Sequence, residues 1–201
     1  MKLGPFELDT VVQGDCLELM KLLPDGCVDA VVTDLPYNEV NRESNGLRNL
    51  DKGNADIFRG DVSELAELLM RITSGSLYAF CGIQQLAILD KKFRDANMSR
   101  RCLVWNKTNP SPMNGEHIWL SSIEHCAFAK HSGATYNGFC KSAVINNKSG
   151  SSKIHPTEKP LELMKEFILT CTIDLEEIPG VNIRSFVEEF RRIEWIRKEC
   201  S

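Results

Sequence analysis

The 201-residue sequence contains no apolar run of the roughly 18 residues a membrane-crossing helix needs. Its first residues, Met1 to Glu7 (MKLGPFE), hold no apolar core of signal-peptide length, so the expected location is cytoplasmic. No Cys-x-x-Cys pair occurs among the eight cysteines. Scattered in this way, they read as free thiols or small buried hydrophobes, not as a disulfide scaffold. His125, Cys126, His131 and Cys140 lie close in sequence, but their spacing fits no standard finger, and no metal is expected. No two of the 13 glycines lie two apart, so the Gly-x-Gly cradle that brings backbone against a cofactor is missing. Internal repeats and low-complexity segments are absent as well.

What remains is an ordinary globular mix, 42% hydrophobic and 26% charged, which excludes disorder. The length suits one α/β domain and is short for two. The net charge of −4 conceals an asymmetry. From Lys91 to Lys159 there are eleven Lys/Arg and four Asp/Glu, a surplus of +7, while the remainder carries −11. A basic middle inside an acidic chain suits a local polyanion-binding face, or ordinary loop solvation.

Along the chain, apolar patterns alternate between the two periods. The stretch from Asp15 to Leu23 has helical spacing, with Asp15 as N-cap and Pro24 as stop. Val28 to Thr33 (VDAVVT) is a short β-branched run and reads as a buried strand. Residues 39–60 are polar and rich in Gly and Asn, and read as a long loop. Asp61 to Thr73 reads as a helix, Ser76 to Cys81 as a strand and Gln84 to Asp95 as a helix. Arg101 to Trp105 and Ile123 to Ala129 are further strands, with a loop from Asn106 to Asn114 between them. Ser149 to Lys153 reads as a linker. Pro160 opens a helix that continues to Cys171, and an amphipathic helix follows Pro179-Gly180. Strands alternating with helices predict an α/β fold with a mainly parallel sheet.

The most informative segment is Asp34-Leu35-Pro36-Tyr37, which directly follows a buried strand. Ligands of open α/β sheets bind at that edge. The nitrogen of a nucleobase amino group is a poor nucleophile, because its lone pair is delocalised into the ring. The Asp34 carboxylate and a backbone carbonyl, both accepting from the amino hydrogens, would localise that pair, and Tyr37 would stack on the base, a contact worth roughly 1–3 kcal/mol. The base would first have to leave the duplex. The same residues also fit a plain strand ending in an Asp-x-Pro turn. A second motif, His155-Pro156-Thr157-Glu158-Lys159-Pro160, precedes a helix. Two prolines fix the entry path, Thr157 is a candidate cap, and Lys159 with the helix N-terminus favours an anion.

In this order, GDCLELMKLLPDGCVDAVVTDLPYN, a variable basic middle and HPTEKPLELMKEFILTC resemble the S-adenosylmethionine-dependent DNA amino-methyltransferases, in the permuted group whose catalytic motif comes first. WNKTNPSP (105–112) and Glu124-His125-Cys126 are also similar to that family, and the resemblance covers roughly residues 10 to 172. It implies a Rossmann-like methyltransferase sheet. It also implies catalytic roles for Asp34, Pro36 and Tyr37, and a cofactor pocket formed by Asp15, His155, Thr157, Lys159 and Pro160. The basic middle, about 91–153, would hold the target-recognition segment; separately, its +7 surplus leads to the expectation that Lys107, Lys130 and Lys141 contact the phosphates of double-stranded DNA.

Two departures from the family pattern matter. Leu35 stands where the family usually has a first proline. The useful group there is the backbone carbonyl, which any residue supplies, and a residue before proline is held extended anyway. After the HPTEKP helix the family continues into a strand and an Asp-Pro-Phe-x-Gly-x-Gly loop. Here the chain reads TIDLEEIPGV (172–181), so the expectation is an incomplete sheet, as a truncated or frameshifted gene would give. On this reading residues 1–172 are a methyltransferase-like catalytic region. Residues 173–201 are a divergent amphipathic tail that covers the sheet or joins a second chain as a homo- or hetero-oligomer. The implied function is transfer of a methyl group from S-adenosylmethionine to an exocyclic amine of a flipped base, adenine N6 ahead of cytosine N4. The alternatives are a non-catalytic DNA-binding remnant, half of a split methyltransferase, and a nucleotide-binding α/β protein without DNA involvement.

Overall fold

A computed structural model describes residues 2–8, 10–37, 60–112, 115–149 and 159–171. The expectations for residues 39–59, for His155 and Thr157, for most of the 149–153 linker and for the 173–201 tail fall outside these residues.

The chain opens with a small antiparallel pair, β1 (Lys2–Leu3) and β2 (Phe6–Glu7). The elements α1 (Cys16–Lys21), β3 (Val28–Asp34), α2 (Val62–Ile72), β4 (Thr73–Cys81) and α3 (Ile83–Asp95) follow. The second half holds β5 (Ser99–Lys107), β6 (Ile123–Lys130), β7 (Val144–Asn147) and α4 (Leu161–Cys171). Every helix and strand expected within the described residues is present, with ends shifted by up to three residues. The β1–β2 pair and β7 were not anticipated, because two- and four-residue strands are too short to show a period.

The main sheet has the order β3-β4-β6-β5-β7. The α/β class is as expected, but the sheet is mixed. β3–β4 and β5–β7 are parallel, whereas β4–β6 and β5–β6 are antiparallel. The reason is connectivity: β3 reaches β4 through a helix, as a parallel crossover requires, while β5 reaches β6 through a loop that simply reverses the chain.

Alternation along β4 divides the core into two layers. Leu77, Ala79 and Cys81 face α2 and α3, joined by Leu65, Leu69, Leu89 and Phe93. Tyr78 and Phe80 face α4 and pack with Phe128, Leu163, Met164 and Phe167. Tyr78 stacks on Phe167 with ring centroids 4.6 Å apart. β3 is an edge strand of the described sheet, yet both of its faces are apolar and covered, the pattern of a parallel strand between helical layers. A register irregularity between Val28 and Ala30 requires Gly75 on β4, because a Cβ there would collide with the Asp29 carbonyl. Among the described residues no helix is long and apolar enough to cross a membrane.

Candidate active site

β3 ends at Asp34, and the parallel register sets Asp34 opposite Phe80, one residue before the end of β4. Beyond the strand the backbone is tied down at three points. The Leu35 N–H donates to the Phe80 carbonyl at 2.9 Å, extending the ladder by one bond. A proline at this position could not make that bond. The Leu35 side chain is itself buried in the core. Gln85 then acts as a brace: its amide Nε2 donates to the Pro36 carbonyl at 2.7 Å, and its Oε1 accepts from Gly82 N at 2.9 Å. Gly82 lets the loop come close, since a Cβ there would lie 3.1 Å from the Tyr37 carbonyl. A strand end, a buried leucine and a glutamine brace thus hold Asp34-Leu35-Pro36-Tyr37 in one path.

The charged groups form a compact set. Lys159 Nζ donates to Asp34 Oδ2 at 2.7 Å and lies 3.1 Å from Glu124 Oε2. The Tyr37 hydroxyl donates to the same Glu124 oxygen at 3.1 Å. Lys107 Nζ pairs with Glu124 Oε1 at 2.6 Å. The Lys159 ammonium also sits over the rings of Phe80 and Tyr37, 5.0 and 5.5 Å from their centroids. Burial alone would push the Glu124 carboxyl up, but Lys159 and Lys107 outweigh it and hold the group below its ordinary range. Burial, with the Asp34 and Glu124 charges, pushes the Tyr37 phenol far above its ordinary value, so it stays a hydrogen-bond donor. Asp34 Oδ1 is buried and meets no hydrogen-bond partner among the described residues. An acceptor in that state is costly unless a ligand completes it.

The sequence-predicted residues divide accordingly. Asp34, Pro36, Tyr37 and Lys159 come together, and Pro160 starts α4, its carbonyl accepting from Leu163 N and Met164 N. Asp15 caps α1, its carboxylate accepting from Leu17 N at 2.8 Å and Glu18 N at 3.4 Å. The three lysines expected on one DNA face are not brought together. Lys107 is part of the Asp34 set. Lys130 pairs in register with Ser76, at the opposite end of the sheet, and donates to the Ala134 carbonyl. Lys141 pairs with Glu166 and reaches Thr170, both in the last half of α4. A charge sum along the chain carries no information about which end of a strand each charge occupies. Glu124 and Gln85 were not anticipated as site residues. The available signal for Glu124 was an acidic residue opening an apolar strand, within a stretch already similar to the methyltransferases.

No protein-family model matches the chain. It is 22% identical over 206 residues to the Type II methyltransferase M.HinfI of Haemophilus influenzae, covering 82% of this chain and 56% of that protein. The chain therefore spans little more than half the length of this relative. The solved structure of the M1.HpyAVI–SAM complex superposes with a TM-score of 0.55 at 21% identity, covering 81% of this chain and 76% of the other. A second M1.HpyAVI structure gives 0.52 at 19% identity, with 81% and 75% covered. By sequence and by fold the chain is similar to the DNA methyltransferases. Their Rossmann-like architecture is the one found here, with the described sheet limited to five strands.

Proposed function

We propose that the chain is the base-methylating module of a DNA amino-methyltransferase. The observation that carries this reading is the buried Asp34 Oδ1 at the end of β3, without a hydrogen-bond partner among the described residues, beside Tyr37 and fixed through Oδ2 by Lys159. Asp34 Oδ1 and the Leu35 carbonyl are the acceptors for the two hydrogens of an exocyclic amine, the Pro36 carbonyl being taken by Gln85. Accepting both hydrogens turns the nitrogen lone pair out of conjugation and toward an incoming methyl group. Tyr37 supplies an aromatic face for the base, which must leave the duplex to reach this depth. An Asp at the first catalytic position favours adenine N6 over cytosine N4.

The methyl donor of this reading is S-adenosylmethionine, which the likeness to the M1.HpyAVI–SAM complex supports. The two carboxylates and two aromatic faces around Lys159 are matched to its own ammonium, so a cationic sulfur would lie beside this set and not within it. When bound, S-adenosylmethionine would supply an electrophilic methyl group on a cationic sulfur. Lys159, Phe80 and Tyr37 are placed to shape that end of the pocket. Asp34 is placed to receive the proton that the methylated amine sheds. No covalent intermediate with the protein is needed. The buried thiols of Cys81 and Cys126 are pushed up by burial, Cys81 to about 12, and are poor nucleophiles at neutral pH.

The test is transfer of labelled methyl from S-adenosylmethionine, at saturating concentration, to duplex DNA by the full chain. Wild type is expected to transfer, and Asp34→Ala to lose transfer while keeping duplex affinity within about threefold, because the carboxylate acts on the base and not on phosphate. Equal losses of binding and turnover would make Asp34 structural and overturn the reading.

A further inference from the structure

Trp119 is 95% exposed and Ile118 66% exposed, although large apolar side chains are ordinarily drawn inside. They lie on the connection between β5 and β6. In the sheet register Glu124 stands opposite Trp105, and the Lys107 N–H donates to the Ser122 carbonyl at 2.7 Å. β6 runs antiparallel to β4, so its first residues lie at the end where β3 delivers Asp34. The exposed tip therefore springs from the same end of the sheet as the Asp34 set, and its two roots, Lys107 and Glu124, are members of that set.

The connection is anchored on both sides of the tip. Thr108 N donates to the Asn147 carbonyl at 3.2 Å. The Asn109 side chain exchanges two hydrogen bonds with the Ser149 backbone, at 2.6 and 3.3 Å. Gly115 N donates to the Pro112 carbonyl and Ser122 N to the Leu120 carbonyl. Leu120 folds back over Gly115, where a Cβ would lie 2.9 Å from its Cδ2. Leu120, 39% exposed, thus rests partly on the loop, while its two predecessors stand further out in solvent.

Resting on the reading above, we propose that Ile118 and Trp119 form a wedge that enters duplex DNA beside the base delivered to Asp34. A duplex that has lost one base from its stack exposes the faces of the neighbouring pairs. An apolar ring fills such a gap and offsets part of the unstacking cost. The shape of the feature favours this partner over a protein. A stable protein interface takes roughly 800 Å² from each side, whereas this is a narrow tip of two or three side chains that matches one base step. The tip itself brings no cation, since residues 108–123 hold Glu116 and no Lys or Arg, so phosphate contacts must come from beside it. Exposed Lys148 follows β7, whose parallel register with β5 places it at the same end of the sheet, within reach of flanking phosphates.

The experiment uses the full chain and a short mixed-sequence DNA duplex, with wild type, Trp119→Phe and Trp119→Ala compared. The emission difference between wild type and Trp119→Phe isolates Trp119, and the duplex is expected to quench that difference signal. Trp119→Ala is expected to weaken duplex binding about tenfold, with Trp119→Phe within about threefold of wild type. Circular dichroism and thermal unfolding of Trp119→Ala should match wild type. Duplex binding with unquenched Trp119 and unchanged Trp119→Ala affinity overturns the wedge while leaving the methyl-transfer reading intact. A wild-type dimer that Trp119→Ala converts to monomer, with no effect on DNA, also overturns it and makes the tip a contact between copies. Absence of methyl transfer by wild type, with Trp119 quenched by the duplex and Trp119→Ala binding weakened, overturns the methyl-transfer reading and leaves the duplex contact of the tip standing.

Discussion

Around Asp34, the side chains of Lys159, Glu124 and Asp34 keep only 9%, 18% and 21% of their exposure. A short loop away, Trp119 is almost wholly exposed. Charge is buried where an apolar core would be cheaper, and apolar surface is exposed where a polar loop would be cheaper. Each inversion costs free energy, and both occur at the same end of the sheet. The buried charges satisfy one another: each lysine meets a carboxylate, and the phenol donates to Glu124. Within this set, Asp34 Oδ1 has no hydrogen-bond partner among the described residues. The loop tip has no such internal compensation, since its ring is turned away from the protein. The first region is complete except for one acceptor and so suits a small polar group. The second offers apolar surface and so suits something flat and unstacked.

Removing the central cation breaks the first region most severely. Lys159→Met keeps the length of the side chain but leaves Asp34 and Glu124 close together without the ammonium between them. Breaking a buried pair in this way costs about 3–5 kcal/mol. Urea unfolding at neutral pH should show a loss of that order with an unchanged slope. Adding Asp34→Asn to the same chain should recover part of the loss, because Asp34 is the carboxylate left without its cation, whereas Glu124 keeps Lys107. If Lys159→Met unfolds like wild type, the lysine is not the centre of the set.

The strand end of this site was legible in the sequence because a strand followed by Asp-Leu-Pro-Tyr is a local pattern, and so was Pro160 at the start of α4. Lys159 was legible as a site residue, but its partner was not. Its bond to Asp34 spans 125 positions and depends on α4 packing across β3 and β4. Glu124 and Gln85 act through register and reach, which no local spacing encodes. Lys107, Lys130 and Lys141 were grouped by sign alone, and the strand directions then separated them. Asp15 was legible as a cap, and the structure uses it as one. Leu35 was expected to be tolerated. Its N–H bond to Phe80 shows it doing more, because it fastens the loop to β4.

The second effect is smaller and depends on pH. The folded-state Glu124 carboxyl holds its proton less tightly than in the unfolded chain, owing to Lys159 and Lys107. Its contribution to stability is therefore complete above the ordinary carboxylate range and is lost as pH falls through the folded value. Glu124→Gln removes the charge-assisted partners of two lysines, worth about 1.5–3 kcal/mol. The gap between this variant and wild type should be widest at neutral pH and should close on acidification. A gap independent of pH would mean that the glutamine change disturbs packing instead of charge.

The smallest expected effect is on folding at the tip. Trp119→Ala should change the unfolding free energy by no more than about 0.5 kcal/mol, the usual range for a surface position with few contacts. Trp105 supplies the contrast within the same chain. It is buried, its indole N–H donates to the Asn147 carbonyl at 3.1 Å, and Lys107 lies over its ring at 5.1 Å. Truncating Trp105 should cost several times more, since it removes core packing together with that bond. Parallel thermal melts of the two alanine variants check the difference. A clear destabilisation by Trp119→Ala would show that the ring packs on the protein in solution. The comparison would then dissolve, because the loop tip would be part of the core and would have no apolar surface left to offer a duplex.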